Sequence, residues 1–107
     1  MGIKYSNNAK TTLSSGINDS VTSAAVASGA VFPALSGGDY FYATIETANL
    51  ATKEIVKVTA RSGDTLTIVR AQDNTSAAAF SSGDFVELRV TAAVLEDATE
   101  PTTGITA

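Results

Sequence analysis

The sequence predicts an all-β fold, a small antiparallel barrel or sandwich, and three observations support this class. Four segments alternate apolar and polar residues with a period of two, which is typical of half-buried strands. Clusters of Gly, Ser, Asn and Asp separate the segments and indicate turns. No stretch longer than about ten residues has the 3.6-residue period of an amphipathic helix. We therefore expect one domain of about six to eight short strands in this chain of 107 residues.

The N-terminal part of the chain has the weaker strand signals. Residues 1–12 are polar and mixed, and they predict an extended arm that precedes a β-domain at residues 13–95. Residues 11–17 and 21–27 each predict a short strand, and the Asn-Asp-Ser between them indicates a turn. Pro33 lies within an apolar stretch and cannot donate to a strand ladder, so this stretch predicts a sheet edge or a connection.

The four alternating segments give the strongest strand signals, at residues 40–46, 54–60, 65–70 and 85–91. A short polar loop with Gly joins the second segment to the third, so residues 54–70 predict a β-hairpin. The apolar residues that share one face of each segment should form the core. These predicted core residues are Phe41, Ile45, Val56, Val58, Leu66, Ile68, Val86, Leu88 and Val90.

The same alternation assigns the other residues of these segments to faces. Ala60 has the parity of the core residue Val58 and is expected beside it. Tyr42, Thr44 and Glu46 have the opposite parity to the core residues of their segment, so we expect them on the other, half-exposed face.

Two Ala-rich segments, residues 75–80 and 91–98, have compositions compatible with one or two turns of helix each. Residues 96–107 are Thr-rich with Pro and Gly, and they predict a loose C-terminal tail. A small domain without disulfides and without a covering helix is expected to leave part of its apolar surface for a partner.

A Gly-Asp pair stands directly before three of the alternating segments, where its aspartates are Asp39, Asp64 and Asp84. Gly adopts a positive φ without steric cost, and Asp accepts hydrogen bonds from nearby backbone amides. The repeated pattern therefore predicts a turn before each strand, with a positive φ at Gly63 or Gly83. The alternative is that the three carboxylates converge on a cation, as in calcium sites.

Absent residue types exclude several kinds of chemistry. The chain has no Cys and no His, which excludes disulfides, thiolate nucleophiles, imidazole-ligated metals and the Ser-His-Asp triad. The net charge is -4 and the basic residues do not cluster, so we expect no nucleic-acid partner. No apolar run approaches the roughly 20 residues of a membrane-spanning helix, and we expect neither a signal peptide nor a membrane partner.

The charged residues on the predicted strands are expected at the surface. Glu46 and Glu54 are a candidate carboxylate pair for acid–base chemistry, but the pattern favours two solvated strand positions. The dispersed basic residues expected as surface charges are Lys10, Lys57, Arg61, Arg70 and Arg89. No catalytic, cofactor-binding or metal-binding residue is predicted.

Two tyrosines, Tyr40 and Tyr42, share one strand face and are candidates for packing on a neighbouring subunit or for stacking on a sugar. Isolated apolar residues in the polar termini, Ile3, Tyr5 and Ile105, suit docking into grooves of a neighbour. These five residues are the predicted interface positions. Two classes of function therefore remain open, a structural assembly protein and a carbohydrate- or surface-binding module.

Three segments carry a resemblance to a known family: "NNAKTTLSSGI", "FPALSGGDYFYATIE" and "EIVKVTARSGDTLTIVRAQDNTSAAAFSSGDFVELRVTAA". Together they resemble a small β-module of tailed-bacteriophage virion proteins, over roughly residues 7–95. The module recurs in phage structural proteins, often at the start of longer tail or head fibres. This chain departs from the family pattern at Ala71, where the family has Gly, and at Asp73-Asn74, where it has Glu-Gly.

The resemblance implies a non-enzymatic structural protein, without a cofactor, in a virion assembled in the bacterial cytoplasm. The favoured role is a capsid decoration (cement) protein that stabilises the head through contacts between subunits. A small tail or collar adaptor, or a fibre-base protein, is the alternative within the same class. The implied partners are further copies of the chain, in a trimer or symmetric ring, and another virion protein such as the major capsid protein.

Overall fold

The structure, a computed structural model, describes residue 3 and residues 9–89. It contains one antiparallel sheet, which confirms the predicted all-β class. A short 3-10 helix at Gly29–Val31 lies between the second and third strands. The strands are β1 (Lys10–Thr12), β2 (Ser23–Ala25), β3 (Phe41–Glu46), β4 (Lys53–Ser62), β5 (Thr65–Gln72) and β6 (Phe85–Glu87).

The sheet has the strand order β1-β6-β3-β4-β5-β2 and curls into a half-barrel. Its two end strands meet just beyond their last residues, where Leu13 and Val26 form an antiparallel bridge. Two backbone hydrogen bonds hold this junction: Ser14 N donates to Ala25 O at 2.9 Å, and Ala27 N donates to Thr12 O at 2.8 Å. The half-barrel is therefore closed at one end by its own edge strands, which protects backbone groups that an open sheet would expose.

The predicted hairpin is present as β4 and β5, which pair from Ser62↔Thr65 to Ile55↔Gln72. The register shifts twice along this pairing. One shift lies between Val58 and Ala60. The chain moves two residues along β4 there while it moves one residue along β5, so β4 contains an extra residue. Ala60 is exposed as a result, and its predicted place beside Val58 in the core is wrong.

The core confirms most of the predicted positions. Seven of the nine predicted residues are at most 2% exposed: Phe41, Ile45, Val56, Val58, Leu66, Ile68 and Val86. Leu88 is half-buried and packs against the edge of this cluster. Val90 lies outside the described residues. Shorter elements complete the core with Ala9, Leu13, Ala24, Val26, Phe32 and Phe80.

Strand β3 is buried on both faces, which corrects the expectation of a half-exposed strand. Tyr42 is 8% exposed and Thr44 is 2% exposed, although both have the opposite parity to the core residues. β3 lies in the middle of the strand order and pairs with both β4 and β6. Residues on the outer face of a central strand have neighbours on both sides, so alternation alone did not predict their burial.

Strand β1 overlaps the end of the segment predicted as an arm. Residues Lys10–Thr12 pair with β6, and Ala9, just before them, is 3% exposed and belongs to the core cluster. Closer to the N-terminus, Ile3 of the arm forms a parallel bridge with Tyr40. The remainder of the arm and the predicted tail at residues 96–107 lie outside the described residues.

The Gly-Asp pattern forms turns, as predicted. Gly63 has a φ of 60° and Gly83 a φ of 92°. Asp39 and Asp84 make the same closed turn with the serine three residues earlier: the Asp amide donates to the Ser carbonyl, at 3.0 and 3.1 Å, and the Ser amide donates to the Asp carboxylate. Asp64 instead accepts the Gly29 amide at 2.7 Å. Within the described residues no three acidic side chains form a group that could bind a metal ion.

Residues 75–80, whose composition was compatible with a short helix, form an irregular loop after β5. The other such segment, residues 91–98, lies outside the described residues. Three residues at the end of β5 and directly after it have left-handed backbones: Ala71 (φ 55°), Asp73 (φ 53°) and Asn74 (φ 65°). Thr75 N donates to Gln72 O at 3.0 Å, which closes a tight turn around Asp73 and Asn74. Both central residues of this turn have positive φ, which Asp and Asn tolerate better than most residues.

Replacing Leu66 with Ala should lower the free energy of unfolding by about 2–5 kcal/mol, because a fully buried side chain leaves a cavity. Leu88→Ala is the matched comparison and should cost clearly less, since Leu88 is only half-buried. Urea unfolding of both variants provides the measurement. Equal losses of unfolding free energy in the two variants would show that the core is centred nearer to Leu88 than the structure places it.

Candidate functional site

A buried ion pair joins the two strands of the hairpin. Glu54 on β4 is 0% exposed, and the side chain of Arg70 on β5 is 9% exposed. The two groups meet in parallel: Arg70 Nε donates to Glu54 Oε2 and Arg70 Nη2 donates to Glu54 Oε1, both at 2.9 Å. This bidentate geometry is the strongest form of a carboxylate–guanidinium contact. The prediction that Glu54 and Arg70 are solvated surface charges is therefore wrong.

The remaining donors of Arg70 bind backbone carbonyls from two loops. Nη1 donates to Asn18 O at 2.7 Å and to Val21 O at 3.0 Å. Nη2 also donates to Ala78 O at 2.6 Å. All five N–H groups of the guanidinium are thus occupied. One side chain therefore fixes the loop before β2 and the loop after β5 to the same end of the half-barrel.

The carboxylate of Glu54 completes the network from the other side. Ala71 N donates to Oε2 at 2.8 Å and Ala78 N donates to Oε1 at 2.9 Å. Each oxygen therefore accepts one bond from the guanidinium and one from the backbone. Among the described residues, no buried side-chain nitrogen or oxygen lacks a hydrogen-bond partner. A charged pair can be buried at moderate net cost only when it is satisfied in this way.

Burial by itself would raise the pKa of Glu54, because desolvation disfavours the charged form. The hydrogen bonds from Arg70, Ala71 and Ala78, together with the positive charge of Arg70, outweigh that effect. The pKa of Glu54 therefore lies below its ordinary value of 4.5, and the carboxylate is ionised at neutral pH.

A second carboxylate holds loops at the same end of the sheet. Asp84 is 7% exposed; its Oδ1 accepts Ala48 N at 3.1 Å and its Oδ2 accepts Ser81 N at 2.8 Å. It lies beside an open depression of about 370 Å³ formed mainly by the loop at residues 47–52. Because both carboxylate oxygens already accept hydrogen bonds from backbone amides, Asp84 has a structural role in these loops.

The candidate acid–base pair of Glu46 and Glu54 is separated by the sheet. Ile45 is the register partner of Glu54, so Glu54 shares the inner face with Ile45 and Glu46 points outward. Glu46 instead accepts Arg89 Nη2 at 2.7 Å, and Glu87 accepts the same nitrogen at 2.8 Å. The two glutamates therefore belong to separate ion pairs on opposite faces.

Three of the predicted interface residues come together on the outer face of the sheet. The rings of Tyr40 and Tyr42 meet edge to face, with centroids 5.7 Å apart, and Ile3 is the bridge partner of Tyr40. Lys57 Nζ lies 4.4 Å from the centre of the Tyr40 ring. We call Ile3, Tyr40, Tyr42 and Lys57 the tyrosine patch. Tyr5 and Ile105, the other predicted interface residues, lie outside the described residues.

The geometry of the tyrosine patch favours packing over stacking on a sugar. Tyr42 exposes only 8% of its surface, and a lysine side chain occupies one face of Tyr40. A sugar-stacking ring presents its flat face to solvent, and these contacts reduce the ring face that is open to such stacking. The patch is better suited to packing against protein, as the bridge of Ile3 to Tyr40 within it illustrates.

Comparison with protein-family models gives no match, and no curated protein sequence is significantly similar to this chain. The part of the chain that the structure describes contains no helix of the length and hydrophobicity needed to cross a lipid bilayer.

Replacing Glu54 with Gln should lower the free energy of unfolding by about 3–5 kcal/mol, because Arg70 would remain buried without a counter-ion. The paired variant Glu54→Leu with Arg70→Met is the control and should cost less, since it removes both charges together. Urea unfolding compares the variants. A Gln variant as stable as the unchanged protein would show that Arg70 reaches solvent.

The stability of the fold should also fall in acid. The pKa of Glu54 is lower in the folded chain than its ordinary value of 4.5, so the unfolded chain binds this proton more readily. Ionised Glu54 therefore stabilises the fold fully above pH 4.5, and this contribution disappears as the pH falls through the lower folded value. Unfolding curves recorded across this range should show a steeper acid loss for the unchanged protein than for the Leu/Met pair.

Proposed function

We propose that this chain is a non-enzymatic structural protein of a tailed-phage virion, and that within this class it is a capsid decoration protein. The resemblance to the virion β-module, over roughly residues 7–95, carries this proposal. The longest similar segment begins at Glu54 and includes Arg70 and Ala78. It therefore contains the ion pair and the β4–β5 hairpin around which the loops are arranged.

The architecture supports an assembly role for this protein. Decoration of a shell requires a rigid module whose surface keeps its shape on contact, since ordering a flexible surface on binding weakens association. The closed end of the half-barrel and the carboxylate-bound loops provide such a module. The tyrosine patch includes Ile3 of the N-terminal arm, so one position of the arm already lies against the domain.

The surface-binding alternative receives less support. It needs Tyr40 and Tyr42 to present open ring faces, and their mutual packing, the Lys57 contact and the low exposure of Tyr42 leave little ring surface for a ligand. We therefore retain the assembly role as the proposed function.

The direct test is to locate the chain in particles of the phage whose genome encodes it. Particles purified on a density gradient are analysed by mass spectrometry, and cryo-electron microscopy then gives position and copy number. Density on the outer surface of the head is the expected result. Density on the tail or collar would replace decoration by the adaptor role. A chain found only in the soluble fraction of infected cells would overturn the virion role altogether.

Deletion of residues 1–8 should give a folded, soluble domain that no longer incorporates into particles. The deletion stops before Ala9 because Ala9 is part of the core, and the arm that precedes it is expected to dock on a neighbour. Circular dichroism checks the fold, and occupancy on purified particles checks the function.

The matched control for this deletion is Ser20→Ala, a change at an exposed residue of a distant loop, which should incorporate normally. Two results would contradict the prediction: a truncated protein that reaches the occupancy of the full chain, or one that fails to fold.

A further inference from the structure

The two end strands of the half-barrel meet over only a few residues. Ser14 N donates to Ala25 O at 2.9 Å, which joins the chain after β1 to β2. The chain then turns away from β2, and Ile17 exchanges two backbone hydrogen bonds with Phe80, both at 2.9 Å. The seam between the end strands is therefore closed at Ser14 and open beyond it.

A groove of about 410 Å³ lies where the seam opens. Residues 15–18 form one wall, and Val21, Ser23 and Ala25 form the other, with Thr65 beside them. None of these residues is charged. Because hydroxyl groups and small side chains make up much of the lining, the groove suits an uncharged chain segment better than a bulky apolar side chain.

The backbone of β2 has unpaired hydrogen-bonding groups along this groove. Val26 N donates to Asp64 O at 2.8 Å, so alternate residues of β2 direct their amides and carbonyls at β5. Ser23 and Ala25 have the opposite parity, and their backbone groups are directed away from β5. Among the described residues, none forms a hydrogen bond with the Ser23 amide, the Ser23 carbonyl or the Ala25 amide. This part of β2 is therefore an open strand edge.

The facing wall of the groove is unpaired as well. No hydrogen bond within the described part of the chain uses the backbone of Ser15 or Gly16. An extended segment between the two walls can bond to β2 and to these residues, as an inner strand bonds to two neighbours. Pairing of this kind depends on the backbone of the added segment, so it does not need an apolar groove.

The end of the sequence has the composition that this position requires. Residues 90–107 lie outside the described residues. We call residues 102–107 the C-terminal segment. It has no charged side chain, and each of its residues after Pro101 has a backbone amide that can donate to a neighbouring strand. The C-terminal segment therefore matches both the uncharged lining and the unpaired backbone of the groove.

The N-terminal arm is the weaker candidate for the groove. Its Ile3 is already paired with Tyr40, on the outer face of the sheet. The arm also contains Lys4, whereas no side chain of the groove lining supplies an opposite charge. These two observations favour the C-terminal segment as the occupant.

The C-terminal segment can also reach the groove in the required direction. Leu88 N donates to Ala9 O at 3.0 Å, so the chain after β6 passes the start of β1. Ser15 lies at most about 20 Å further along the direction of β1, and residues 90–101 can extend over about 40 Å. A segment that follows the direction of β1 arrives antiparallel to β2, because the bridge between the end strands is antiparallel.

We propose that the C-terminal segment lies in this groove as an added strand, which closes the seam of its own copy. The segment is covalently attached to the domain, so its effective concentration at its own groove is high, and it fills that groove before the groove of a neighbour. This inference concerns a single chain and does not depend on the virion role. The contact is tested on the purified chain, whereas the virion role is tested on particles, so the two can fail separately.

Hydrogen exchange followed by NMR tests the backbone contact. Exchange of the Ser23 amide should be slower in the full chain than in a chain that ends at Pro101, on the order of 10-fold. The Ala24 amide is the matched control, since it faces β5 and should be equally protected in both proteins. Protection of Ala24 also shows that the shortened chain is folded.

Introduced cysteines give a second test, which leaves the length of the chain unchanged. The chain has no cysteine, so disulfides can form only between the chosen positions. Val21→Cys with Ile105→Cys should form a disulfide within one chain under mild oxidation at low protein concentration. Thr59→Cys with Ile105→Cys is the control and should oxidise much more slowly, because Thr59 is exposed on β4, two strands away from β2. Non-reducing electrophoresis separates links within a chain from links between chains.

Three results would overturn the inference. Equal exchange of the Ser23 amide in the full and shortened chains would show that the C-terminal segment does not pair with β2. Equal oxidation rates of the two double-cysteine variants would show that Ile105 does not approach the groove. Links that form only between chains would assign the groove to the C-terminal segment of a second copy. Slower exchange of Ser23, together with a fast link within one chain, supports the added strand.

Discussion

The contact between Glu54 and Arg70 is the constraint on which the arrangement of this protein depends. A buried charge is tolerated only with a partner and with every remaining hydrogen-bonding atom satisfied, and here the two side chains use four amide or guanidinium donors and three carbonyl acceptors to meet that requirement. The loops that supply those backbone groups cannot move without leaving a charge unsatisfied. The ion pair therefore matters more for the loop conformation that it enforces than for any net stability that it adds.

This dependence on carboxylates follows from the shortness of the strands. β1, β2 and β6 contain three residues each, so ladder hydrogen bonds alone fix little of the chain. Asp84, like Glu54, accepts hydrogen bonds from backbone amides, those of Ala48 and Ser81. Asp64 accepts one from the amide of Gly29. Loops that are bound in this way become rigid surfaces, which is the property that the proposed assembly role requires.

Part of the candidate site could have been predicted from the sequence. Glu54 has the parity of Val56 and Val58, and Arg70 has the parity of Leu66 and Ile68, so strict alternation places both charges on the core face. The expectation that charged residues lie in solvent outweighed this signal. The opposite charges on adjacent strands of one predicted hairpin were the observation that could have identified a buried pair. Two loop partners of Arg70, Asn18 and Val21, had no such signal, since they lie 52 and 49 residues away in sequence.

The sequence by itself determined the all-β class, the hairpin, most of the core and the turns, because a period of two and the Gly-Asp pattern act over a few neighbouring residues. Tertiary structure decided the features that depend on distant pairing. The pairing of β1 with β6 makes residues 10–12 a strand, and the junction of Leu13 with Val26 brings the two end strands of the sheet together. The central place of β3 buries Tyr42 and Thr44, and the inserted residue in β4 turns Ala60 outward. Each of these outcomes depends on which strands become neighbours and in what register. Local alternation is the same for every such choice, so only the folded chain distinguishes them.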